Sequence, residues 1–83
     1  MKIKCLFFAK SGEVTGVSEK EYQLKEEADT KDLLQKVVEE YPGLEQVLTT
    51  AILSINLEYT AREPPTQLKE GDEVAIIPPI SGG

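Results

Sequence analysis

The sequence predicts an α+β fold, a mixed sheet of four to five strands packed on one main helix. Three observations carry this. Residues 2–9 and 73–77 are short extended stretches that are apolar on both parities, the pattern of strands with two covered faces. Between them, Leu33, Leu34, Val37, Val38 and Tyr41 recur at helical spacing. The remaining strand-like segments are brief, and residues 20–24 and 51–57 alternate apolar with polar side chains. At 83 residues the chain makes one small domain.

In residues 2–9, Ile3, Cys5 and Phe7 share one parity and Lys4, Leu6 and Phe8 the other, which predicts a central strand. Residues 10–19 hold Gly12 and Gly16 and read as a loop with room for one helical turn, with Val14 and Val17 as candidate anchors. Residues 20–24 alternate, with Tyr22 and Leu24 on the buried side, and pair with the first strand as a hairpin. A charged turn follows. Asp29 or Thr30 caps a helix whose first turn contains Asp32, where negative charge meets the positive end of the helix dipole. Lys31, Gln35, Glu39 and Glu40 face outward, and Pro42-Gly43 stops the helix. Leu44, Val47 and Leu48 make a second short helical turn.

Residues 51–57 read as a third strand with Leu53, Ile55 and Leu57 on one side and Ser54 and Asn56 on the other. Residues 58–60 fit a very short edge strand, and residues 62–67, with Pro64-Pro65, are irregular. Leu68 is a lone apolar plug and Gly71-Asp72 a turn. The last strand turns Val74 and Ile76 one way and Ala75 and Ile77 the other, and is expected parallel to the first. Strand, strand, helix, strand, short strand, strand is the order of the β-grasp, or ubiquitin-like, architecture. The domain is expected over residues 1–77, with residues 78–83 as an extended tail.

Composition excludes several functions. The net charge is −6 and Arg62 is the only arginine, so no nucleic-acid partner is expected, because phosphate binding needs a basic face. A basic protein surface fits better. Without histidine the chain lacks the commonest general base and metal ligand, and no metal is expected. One cysteine forms no internal disulfide. Cys5 lies between Ile3 and Phe7 and reads as a buried core thiol. No apolar run reaches the roughly 18–20 residues of a membrane span. Lys2 and Lys4 interrupt any signal-peptide pattern, so a cytoplasmic, membrane-free protein is expected.

The sequence closes on Pro78-Pro79-Ile80-Ser81-Gly82-Gly83. Pro78 and Pro79 have no backbone donor and end the last strand's ladder. Six extended residues reach roughly 20 Å, and Gly82 and Gly83 lack the Cβ that a narrow channel would exclude. The tail reads as a partly stiffened arm, mobile when free, that carries a carboxylate away from the domain.

These residues also carry a resemblance. The opening strand Ile3-Lys4-Cys5-Leu6-Phe7-Phe8-Ala9, then Gly71-Asp72-Glu73-Val74, then Ile76-Ile77 with the Pro-Pro-Ile-Ser-Gly-Gly ending, resemble the small-subunit family of molybdopterin synthase over the whole chain. The resemblance implies a sulfur carrier that is not catalytic alone. An ATP-dependent activating enzyme adenylates the Gly83 carboxylate, and a sulfurtransferase or cysteine desulfurase system converts it to a thiocarboxylate. No cofactor is bound; the acyl-adenylate and thiocarboxylate are modifications of Gly83. Pro78, Pro79, Ile80, Ser81 and Gly82 thread into the large subunit of a heterotetramer. There the sulfur passes to cyclic pyranopterin monophosphate, in molybdenum cofactor biosynthesis. The family's partner-facing apolar patch falls on Phe8, Tyr59 and Ile77, and Tyr59 stands where an aliphatic residue is expected. Glu73 is a candidate for pairing with basic partner residues. The alternatives are a Gly-Gly carrier for thiamine synthesis or tRNA thiolation, a modifier attached to lysines, and an inert interaction module.

Overall fold

Alternation in the first strand sets up the whole sheet. In the computed structural model, which describes residues 1–79, β1 (Lys2–Phe7) buries Ile3, Cys5 and Phe7 completely or nearly so. Its opposite parity, Lys4 and Leu6, is half-buried. Then come α1 (Lys10–Thr15), β2 (Glu19–Gln23), α2 (Thr30–Glu40), α3 (Leu44–Leu48), β3 (Ile52–Ile55), β4 (Glu58–Thr60) and β5 (Glu73–Ile77). The five strands form one mixed sheet in the order β2-β1-β5-β3-β4. β1 and β5 are parallel, with Cys5 opposite Val74 and Phe7 opposite Ile76; every other pairing is antiparallel. This is the β-grasp arrangement the element order predicts.

Cooperation between local signals explains α2. Asp29 accepts from the Asp32 backbone N–H at 2.9 Å, and Asp32 accepts from the Asp29 N–H at 3.0 Å. This reciprocal capping box satisfies two donors the first turn would leave unpaired. The backbone and side-chain hydrogen bonds hold the Asp32 carboxyl below the usual aspartate range. Leu33, Leu34 and Val37 then pack into a core with Ile3, Phe7, Leu53, Val74 and Ile76. Pro42 and Gly43 separate α2 from α3, and the Arg62 guanidinium donates to the Leu48 carbonyl at the end of α3. Leu68 plugs the core edge at 2% exposure, as expected of a lone apolar residue in an irregular segment.

Four local readings are corrected. β1 ends at Phe7, because Ala9 turns the chain with φ 50°. The segment after it contains a six-residue helix, closed by Gly16 at φ 78°, where a side chain would be strained. Of its two proposed anchors, Val14 packs against the core but Val17 is exposed. β3 stops at Ile55. Asn56 and Leu57 both have positive φ and form the two-residue turn into β4, so Leu57 points away from the core and is 89% exposed.

Candidate interaction face and carrier tail

The helices cover one face of the sheet only. On the other, strand register lines up side chains far apart in sequence. Leu6 of β1 is opposite Ala75 of β5, Ala75 opposite Ser54 of β3, and Ser54 opposite Tyr59 of β4. One step along, Ile77 is opposite Ile52. Directly opposed residues share a face, so this row is continuous across four strands. Leu6, Phe8, Leu57, Tyr59, Ala75 and Ile77 line a shallow depression of about 140 Å³ there, with Ser54 and Glu73 as its polar members. Phe8, Ile52 and Tyr59 are 47%, 50% and 75% exposed. These large apolar side chains form one contiguous patch rather than scattered surface residues.

The structure therefore brings Phe8, Tyr59 and Ile77 together around one depression. Leu6, Ile52 and Leu57 join the same face and were not singled out in the sequence. Ile52 was detectable in principle: it shares the parity of Ser54, opposite the buried Leu53. Glu73 is opposite Lys4 in the β1–β5 register, and Lys4 pairs with Glu19 at 3.4 Å.

β5 ends beside this face. The Phe8 N–H donates to the Ile76 carbonyl at 3.2 Å, and Ile77 pairs with Ile52. Pro78 is buried and Pro79 exposed, neither with an N–H to offer. The Ser11 hydroxyl, fully buried, donates to the Phe8 carbonyl at 2.6 Å and lies 3.4 Å from that of Ile76. The expectations for Ile80, Ser81, Gly82 and Gly83 fall outside the described residues.

Other parts of the molecule offer little chemistry. Burial pushes the Cys5 thiol up to about 12, which keeps it protonated and unreactive. On β2, Lys20 and the Tyr22 hydroxyl both donate to Glu40 of α2. Those bonds lower the Glu40 carboxyl and raise the Lys20 ammonium. This cluster ties an edge strand to the helix. A wider groove of about 580 Å³ lies between α2, α3 and Arg62-Glu63, away from the sheet. Among the described residues no group of three or more His, Cys, Asp or Glu could hold a metal ion, and no helix is long and apolar enough to cross a membrane.

A sheet with one helical and one open apolar face defines a ubiquitin-like β-grasp domain. Solved structures agree. SAMP1 from Haloferax volcanii superposes with a TM-score of 0.88 at 27% identity, covering 100% of both chains. The small archaeal modifier protein 1 (SAMP1) from Methanosarcina acetivorans gives 0.83 at 26% identity, covering 99% of this chain and 96% of that one. A sequence profile of the ThiS family matches residues 5–83. The molybdopterin synthase sulfur carrier subunit of Chlamydomonas reinhardtii is 48% identical over 83 residues, covering 100% of both chains. The chain belongs to the ThiS family, among the molybdopterin synthase sulfur carrier subunits.

Proposed function

We propose that the chain carries sulfur on the Gly83 carboxylate for molybdopterin synthase. The observation that carries this is full-length 48% identity to a sulfur carrier subunit of that synthase, in a chain that closes on Pro-Pro-Ile-Ser-Gly-Gly. A carboxylate is a poor electrophile. Its oxygen attacks the α-phosphorus of ATP on an activating enzyme, releasing pyrophosphate and leaving an acyl-adenylate. The terminal sulfur of a persulfide on a sulfurtransferase or cysteine desulfurase displaces AMP to give an acyl disulfide. A thiol then cleaves its S–S bond, releasing the thiocarboxylate and leaving the sulfurtransferase in a disulfide with that thiol. That soft nucleophile attacks cyclic pyranopterin monophosphate. Presenting it on an arm inserted into the partner gives the positioning advantage of a bound reactant. Pro78 and Pro79 direct the arm, Ile80 and Ser81 contact the channel, and Gly82 passes its narrowest part.

The docking partner is the synthase's large subunit, in a heterotetramer. Phe8, Tyr59 and Ile77 form the center of the contact, and Glu73 meets a basic residue across it. What supports this is their shared depression beside the end of β5. The setting of these reactions is the cytoplasm.

Intact mass after incubation with activating enzyme, ATP and a sulfur donor tests the chemistry. The expected gain is about 16 Da, one oxygen replaced by sulfur, and it disappears when Gly83 is removed. No gain with a demonstrably active enzyme system overturns the proposal. A second reading, a modifier joined to lysines, draws on the name of the Methanosarcina neighbour. Stable conjugates through Gly83 in cell extracts, without sulfur transfer to the pterin, would favor it.

A further inference from the structure

The β3–β4 hairpin places a leucine where neither stability nor solubility asks for one. Asn56 and Leu57 have φ 51° and 73° and are the only residues between the paired Ile55 and Glu58. A two-residue turn with both central φ positive favors Asn-Gly, since glycine alone adopts the second position without strain. Asn56 suits its place. Its amide donates to Asp72 at 3.0 Å, its side-chain oxygen accepts from the Glu73 N–H at 3.0 Å, and its own N–H donates to the Glu73 carbonyl at 2.8 Å. These bonds fasten the hairpin tip to the start of β5. Leu57 has no such return. Its backbone is strained, and its side chain is 89% exposed. Yet it lines the same depression as Phe8, Tyr59 and Ile77.

We infer that Leu57 is a partner-recognition residue, held out by the strained turn to enter an apolar recess on the large subunit. Strain that persists without an internal contact is a mark of function. The inference rests on the docking face described under the proposed function and extends it to the hairpin tip. A second copy of this chain is a poor occupant, because each copy carries a net charge of −6 and the two repel.

The test measures binding of the full-length carrier to purified large subunit by calorimetry, alongside denaturant unfolding. Leu57→Gly relieves the turn while removing the side chain. The midpoint of unfolding should stay the same or rise, while affinity falls on the order of tenfold. Leu57→Asn, which also tolerates a left-handed turn, should behave alike, and Leu57→Met should bind as the wild type does. Unchanged affinity for Leu57→Gly overturns the inference. If Tyr59→Ala weakens binding in that case, the docking face stands and only the role of the tip falls. If neither matters, or the wild type does not bind, the docking reading fails and takes the inference with it. A shift of the isolated carrier from dimer to monomer in Leu57→Gly would make a second copy the occupant, and would also overturn it.

Discussion

Cys5 decides where sulfur can reside on this chain, and its environment gives a number to test. The thiol is 0% exposed between Ile3 and Phe7, opposite Val74. Desolvation pushes it from an ordinary 9.0 up to about 12. At pH 8 a thiol at 9.0 is roughly 10% ionised, and one at 12 roughly 0.01%, so the reactive thiolate is depleted about a thousandfold. Alkylation by iodoacetamide, followed by intact mass at pH 8, should therefore be at least about a thousandfold slower for the folded protein than in guanidinium. Cys5→Ala should lose about 1 kcal/mol of stability and still take up sulfur in the activation assay. Native labeling within tenfold of the unfolded rate would refute the burial argument. Loss of uptake in Cys5→Ala, or a gain of about 32 Da reversed by reductant, would place the sulfur on a Cys5 persulfide.

Three further outcomes follow from the same structure. Both the Cys5 thiol and the Tyr22 phenol are raised, each chiefly by burial, so their contribution is complete below the ordinary values and is lost as pH climbs through the raised ones. Between pH 9 and about 12 Cys5 alone removes about 4 kcal/mol at 1.36 kcal/mol per unit, against a total near 4–12 kcal/mol for a chain of this length. Circular dichroism should show a cooperative alkaline transition that moves to higher pH in Cys5→Ala. Asp29→Ala removes one half of the capping box and should lower stability by about 1 kcal/mol in urea, with unchanged slope. Leu33→Ala, at a fully buried position under the sheet, should cost about 2–5 kcal/mol, read from the same titration.

The parts of the fold that were legible are those where local and tertiary signals agree. β1 and β5 are apolar on both parities because both are interior strands, and this also gave away their parallel pairing. α2 announced its start through Asp29 and Asp32 and its end through Pro42. Leu57 misled because the alternation of Leu53 and Ile55 continues through it, and a parity count cannot see that the backbone has already turned. Asn at the first turn position was the available clue, and the expected glycine was missing from the second. Val17 misled for a simpler reason: apolar residues in loops are often left exposed. On the open face, Phe8 and Ile77 were accessible from parity, but Tyr59 took its place beside them only through the β3–β4 register, which a sequence does not display.

The position of β5 links the two halves of the proposed function. It is flanked by β1 on one side and β3 on the other, so its end is bordered by Phe8 and Ile52 rather than by an open edge. The last ladder residue, Ile77, also lines the apolar depression. Pro78 and Pro79 then forbid further pairing, whichever neighbor is offered. A partner that covers Phe8, Tyr59 and Ile77 thus grips the residues immediately preceding the prolines, and docking fixes where the tail begins. The domain supplies no histidine, and its one thiol is sealed in the core. In the proposed function, reactivity is instead added to Gly83 by an enzyme and used inside another protein. A fold with a buried thiol, one open apolar face and a strand that stops beside it suits that proposal, since few of its own groups could compete for the sulfur.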